Sequence, residues 1–151
     1  MISLTAAREL KERGLVWRPS LYDLFVIPDS DLDRIFVVSD MMIDIQQLFG
    51  REIITFNGAV EWSLDNIMVA DALWMPTEST LRELVQSRLA NDAGSSLQLI
   101  GHGSGYCCQI MEGEATTKFE ASEASDAYAR VLLHLLEKEH ADLQDQPYPR
   151  E

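Results

Sequence analysis

The last third of the sequence constrains the fold most, because it places three β-rich segments directly before an amphipathic helix. The segments are SLQLIG, GYCCQIME and TTKFEA, separated by short glycine-containing stretches. A helix is predicted to follow from a cap at Ser122 or Ser125 through about Glu139. Its apolar stripe recurs at helical spacing and consists of Tyr128, Val131, Leu132 and Leu135. This order predicts an antiparallel sheet covered by a helix.

Three further helices are predicted upstream. The first covers 3–13, with Ser3 as the N-cap and Gly14 as the stop signal. The second covers 59–70, where Val60, Leu64, Ile67 and Met68 form an apolar face. The third is TESTLRELVQSRLA, which begins at Thr77.

Short strands account for the remaining ordered segments. YDLFVIP and RIFVVSD flank an acidic turn, and ALWM is a further short strand. The run around Gly50 favours a hairpin, with a short helix over 41–48 as the alternative. Together these elements predict the α+β class: an antiparallel sheet with about three helices packed mainly on one face. The predicted organisation is a single α+β domain over 1–143 and a loose, proline-containing C-terminal tail over 144–151, with 91–96 as the best internal boundary.

Charge limits the classes of partner. The formal net charge is −13, and Lys11, Lys118 and Lys138 are the only lysines. A phosphate-binding surface needs clustered basic residues, so the sequence predicts no nucleic-acid partner. No apolar run approaches the roughly 20 residues that span a bilayer, and the N-terminal segment lacks a secretory pattern. We therefore expect a cytoplasmic protein that does not enter the membrane.

The two cysteines are adjacent in a predicted strand, so Cys107 and Cys108 point to opposite faces and are poorly placed to bridge each other. We expect one to face the core and the other to face outward. The lack of a disulfide framework fits a reducing compartment.

One candidate metal site is an acidic stretch with the spacing of a calcium loop. Asp29, Asp31 and Asp33 alternate, and Asp40 falls at the twelfth position. The sixth position, where such loops carry glycine, is Arg34. An acidic turn between strands is therefore favoured over a metal cage.

A second carboxylate pair, Glu61 and Asp65, lies one helical turn apart in the predicted central helix. No histidine completes a ligand set, so a solvated helix face is favoured. The glycine-rich GHGSGY at 101–106 matches neither a dinucleotide fingerprint nor a P-loop and is predicted to be a hairpin connection. No residue is assigned a catalytic, cofactor-binding or metal-binding role, and no cofactor is expected.

Most of the chain resembles a small group of uncharacterised bacterial α+β proteins, some of which are labelled pilus-assembly proteins. The segments that carry this resemblance are RGLVWRP, IPDSDLD, VVSDMM, ITFNGAVEWSLDNI, LWMPTESTLRELV and FEASEASDAYARVLLHLL. The pilus label implies a P-loop ATPase, but the sequence contains no Gly-Lys-Ser/Thr. The stretch 96–139 also resembles the strand–strand–strand–helix unit of antitoxins with a partial double-stranded-RNA-binding fold, which bind a small basic toxin.

These observations favour a non-enzymatic protein-binding or accessory protein, able to form a homodimer through an apolar patch. Two alternatives stay open. One is a small carboxylate-using enzyme or metal-dependent protein that employs the acidic residues above. The other is an antitoxin-like binder of a basic protein.

Overall fold

The computed structural model describes residues 1–28, 34–39, 43–56, 66–91 and 93–144. The α-helices within these residues are Leu4–Glu12 (α1), Glu78–Leu89 (α2) and Ala124–Gln144 (α3). The strands within them are Leu24–Val26 (β1), Phe36–Val37 (β2), Ile43–Leu48 (β3), Arg51–Phe56 (β4), Asn66–Met68 (β5), Leu73–Trp74 (β6), Ser96–His102 (β7), Gly105–Glu112 (β8) and Ala115–Ala121 (β9). These strands form three antiparallel sheets, ordered β2-β1-β6, β3-β4-β5 and β7-β8-β9. The predicted α+β class is confirmed, and α3 packs on the last of these sheets.

The chain divides into two compact units. One combines residues 1–15 with 78–151, and we call it the helical unit; the other is residues 16–77, and we call it the β unit. The stretch 91–96, which the sequence favoured as a boundary, lies inside the helical unit. Residues 145–151 of the predicted tail lie outside the described residues, and Gln144 belongs to α3.

The helical unit is organised around α3. This helix contacts α1 and α2 as well as β8 and β9. Consequently the residues from Ala124 to Leu132 are buried except Asp126 and Arg130. The predicted core stripe is confirmed, since Tyr128, Val131, Leu132 and Leu135 are all buried.

The N-terminal helix α1 begins and ends as its sequence predicts. The Ser3 side chain accepts a hydrogen bond from the Ala6 amide, and Gly14 follows the helix with φ +87°. The Leu15 amide then donates to the Leu10 carbonyl at 2.9 Å, which closes a Schellman-type turn. Two contacts near its ends attach α1 to α3: the Ser3 amide donates to Asp126 at 2.8 Å, and Arg13 pairs with Glu137.

The β unit has its own aromatic core. Trp17 stacks on Trp74 with ring centroids 6.3 Å apart and contacts Phe25, which in turn stacks on Phe36. The Trp17 indole N–H donates to the Asp23 carboxylate at 2.9 Å. Both tryptophans therefore serve packing. The buried Trp74 indole N–H has no acceptor among the described residues.

The hairpin prediction around Gly50 is confirmed and the alternative helix is excluded over 43–48. Strands β3 and β4 pair from Ile43↔Phe56 to Leu48↔Arg51. Phe49 and Gly50 connect them with φ +50° and +75°, the signs of a type I′ turn.

The helix predicted over 59–70 is wrong at its C-terminal end. Residues 66–68 form β5, which pairs with β4, and residues 69–71 form a short 3₁₀ turn. Apolar residues at helical spacing also suit a short buried strand, and pairing with β4 decides between the two here. Residues 59–65 lie outside the described residues.

None of the helices in the described part of the chain combines the length and the apolar character that a membrane span requires.

Candidate functional site

The carboxylates singled out in the sequence are not among the described residues. They are Asp29, Asp31, Asp33, Asp40, Glu61 and Asp65. Both carboxylate hypotheses therefore stay predictions. Over the ranges that the structure does describe, no three side chains of His, Cys, Asp or Glu come together as a metal ion would require.

The adjacent cysteines are both free and both buried. Cys108 lies on the sheet face under α3 and is fully buried, and burial, with a smaller effect of Cys107, raises the pKa of its thiol to about 12. A neutral buried thiol is a poor nucleophile.

The cysteine expected to face outward is Cys107, but this residue is buried and only 8% exposed. Cys107 does point to the opposite sheet face, as strand alternation requires. It lies in the middle strand of the sheet, paired with Ile100 on β7 and with Glu120 on β9.

The glycine-rich stretch 101–106 contains the predicted hairpin connection, since Gly103 and Ser104 join β7 to β8. Together with Ser122 and Glu123, which precede α3, it borders an open, shallow depression of about 520 Å³. Inside it the Ser104 hydroxyl lies 3.2 Å from His102 Nδ1. Both residues are exposed, and the contact joins neighbours in one turn. Nucleophilic catalysis needs a base that a third group orients, and among the described residues only Ser104 makes a hydrogen bond to the His102 imidazole.

Gly105 has a structural role in that connection. A Cβ atom at this position would lie 2.4 Å from the carbonyl oxygen of Ala121, and its φ is +149°. The glycine therefore allows the start of β8 to approach the end of β9 closely, immediately before α3 begins.

The free edge of the sheet, strand β7, is the most unusual surface of the helical unit. No Asp, Glu, Lys or Arg occurs from Ala93 through Met111, although such residues make up 25% of the chain. Among the described strands, β7 pairs only with β8, on one side. Because alternate residues of an antiparallel strand direct their N–H and C=O groups away from the neighbour, its outer backbone groups are available. Within the described residues these groups have no protein partner.

The opposite edge, strand β9, is protected. It carries the exposed charges Lys118 and Glu120, and the Arg130 guanidinium on α3 donates to the Glu120 main-chain carbonyl. Charged residues and covered backbone are devices by which proteins block edge-to-edge pairing. Strand β7 carries no charged residue other than its terminal histidine, and no described residue covers its outer backbone.

The apolar side of β7 is also incompletely covered. Leu97 and Leu99 point to the same sheet face as Cys108 and Ile110, which are fully buried. Both leucines are only half-buried, because α3 lies over β8 and β9 rather than over β7. On the other face Ile100 is 40% exposed beside Gln98, whose side-chain oxygen accepts from Gln109 at 3.1 Å.

Sequence reasoning placed strand β7 correctly but did not single out its edge. The available signal was the long stretch without charge or proline, which is unusual for an edge strand. Knowing that β7 is an edge requires the sheet order, which only the tertiary structure supplies.

Comparison with known proteins adds no assignment: no family model, curated protein or solved structure matches this chain.

Proposed function

We propose that this protein is a non-enzymatic binding or accessory protein that engages another protein chain by strand addition at β7. The observation that carries the proposal is an unpaired, uncharged edge strand of seven residues with two half-buried leucines behind it. An extended segment added there would satisfy the outer backbone groups and cover the leucines. The proposal includes a cytoplasmic location, which two unpaired thiols suit.

Two features support binding over catalysis. The buried Cys108 thiol has a raised pKa of about 12 and is therefore protonated at neutral pH. The His102–Ser104 contact lies at an exposed hairpin tip, where water screens the electrostatic interactions that catalysis uses.

The test is photo-crosslinking in the cells that express this protein. A photoreactive amino acid, benzoylphenylalanine, is introduced at one of two matched positions. Gln98→benzoylphenylalanine places it on the outer face of β7, and Thr116→benzoylphenylalanine places it on the outer face of β9. We expect a protein adduct from position 98 and none, or far less, from position 116. Equal adducts at both positions, or none at position 98, would contradict a binding edge at β7.

The antitoxin-like reading is a second candidate, supported by the observed order β7–β8–β9–α3 and by the net charge of −13. Under this proposal the acidic surface binds a small basic protein. Its signature is an affinity that falls steeply with added salt, because screening weakens exposed charge pairs. Titration with the basic proteins encoded beside this chain's own gene, at low and at physiological salt, tests it. Binding that is absent at low salt would reject this candidate.

A further inference from the structure

We infer that the occupant of the β7 edge is β7 of a second copy of this chain, paired antiparallel about a twofold axis. This inference rests on the proposed function and names its partner. The resulting sheet would have six strands, β9-β8-β7-β7-β8-β9, with both α3 helices on the same face.

Charge favours a second copy at this edge. Two chains with a net charge of −13 repel each other across most of their surfaces. The stretch from Ala93 to Met111 carries no Asp, Glu, Lys or Arg, so edge-to-edge approach brings uncharged strands together. Glu112, where this stretch ends, is paired with Lys138 at 2.9 Å. A basic partner selected by the acidic surface would gain nothing from an uncharged strand.

Geometry favours the same occupant. An antiparallel edge is self-complementary, because each strand presents the same alternation of donors and acceptors to the other. Across the twofold axis Leu97 and Leu99 of one copy would lie beside the same residues of the other. This arrangement covers the apolar side chains that α3 leaves half-exposed.

Sedimentation velocity on the whole chain tests the inference. We expect a dimer at micromolar concentration that weakens as salt is lowered, since screening limits the repulsion to a Debye length of about 8 Å at physiological salt. A single chain mass at every concentration up to about 100 micromolar and at every salt would overturn the inference.

Paired charge variants locate the interface. The double variants Q98K/I100K and Q98E/I100E place like charges on the outer face of β7 in both copies, and each alone should dimerise at least about tenfold more weakly. An equimolar mixture of the two should recover the dimer, because opposite charges then face each other. The control T116E on β9 should leave dimerisation unchanged, and circular dichroism should show that all variants are folded.

Failure of this inference is distinguishable from failure of the proposed function. A position-98 adduct with twice the chain mass supports both. An adduct containing only a different protein overturns the second copy and leaves the binding edge intact, whereas no adduct overturns both. A dimer that Q98K/I100K and T116E weaken equally would place the interface elsewhere and reject the β7 pairing.

Discussion

At the residue scale, Leu132 shows how the apolar stripe of α3 contributes to the stability of the fold. Its side chain is fully buried on α3, the helix that contacts α1, α2 and the sheet. Leu132→Ala should lower the free energy of unfolding by about 2–5 kcal/mol, because apolar contact is lost and a cavity remains. Leu143→Ala, on the same helix but 70% exposed, should change it by less than about 0.5 kcal/mol. Urea denaturation measures both, and equal effects would contradict the packing described.

Phe49 is unfavourable for stability where it stands. It is 94% exposed at the β3–β4 turn, with φ +50°. A left-handed conformation costs a residue with a large side chain roughly 1–2 kcal/mol, and type I′ turns favour Asn at this position. Phe49→Asn should therefore raise the free energy of unfolding by about 0.5–1 kcal/mol. The control is Leu48→Asn, which should not stabilise the fold because Leu48 does not have a positive φ. A loss of stability in Phe49→Asn would show that the Phe49 ring makes a stabilising contact.

The Cys108 thiol should make the folded state less stable at alkaline pH. Burial raises its pKa from 9.0 to about 12, and burial also raises the pKa of the nearby Tyr128 hydroxyl. The folded chain therefore holds the thiol proton more tightly than the unfolded chain does. Its contribution to stability is fully present below about pH 9 and is lost as the pH rises toward 12.

Urea unfolding across this pH range checks that linkage. Stability should fall with pH in the natural chain and fall less steeply in Cys108→Ala, which is compared by slope because the substitution also removes packing. Parallel slopes would show that Cys108 is not the titrating group.

At the element scale, the β7–β8 hairpin depends on Gly105 and not on Gly103. A Cβ at Gly105 would clash with the Ala121 carbonyl, whereas a Cβ at Gly103 meets nothing within 4 Å. Gly105→Ala should destabilise the protein by more than about 1 kcal/mol, and Gly103→Ala by less than about 0.5 kcal/mol. Thermal denaturation of the two variants compares them directly, and similar melting temperatures would mean that β9 shifts to make room.

Local patterns predicted the elements of the helical unit well. The caps of α1, the three strands before α3 and the buried stripe of α3 all follow from residues within a few positions of each other. The prediction of a helix is wrong at residues 66–68 because these residues pair with β4, a choice that depends on sheet pairing. The candidate binding edge was missed for the same reason, since an uncharged strand becomes an edge only when no strand pairs beyond it.

At the scale of the whole molecule, the unfolding of each of the two units can be followed by a different optical signal. Trp17, Trp62 and Trp74 all belong to the β unit, while α1, α2 and α3 belong to the helical unit. Leu132→Ala should therefore lower the urea midpoint measured by far-ultraviolet circular dichroism more than the midpoint measured by tryptophan fluorescence. Phe25→Ala, in the fully buried core of the β unit, should do the reverse. Coincident midpoints for both variants would show that the units unfold as one cooperative block.

The sequence by itself determined the α+β class, the caps of α1, the apolar stripe of α3, and the strands of the β3–β4 and β7–β8 hairpins, because periodicity, capping and turn chemistry act over a few residues. The cap predicted for α3 at Ser122 or Ser125 is wrong, since α3 begins at Ala124 and Glu123 precedes it. Only the tertiary structure decided that the described strands divide into three sheets, that residues 1–15 join 78–151, and that both cysteines are buried. Those outcomes depend on which distant segments pair and on how far α3 extends over the sheet. The candidate binding edge at β7 belongs to this second group, since it depends on the sheet order, in which no described strand pairs beyond β7, and on the packing of α3 over β8 and β9.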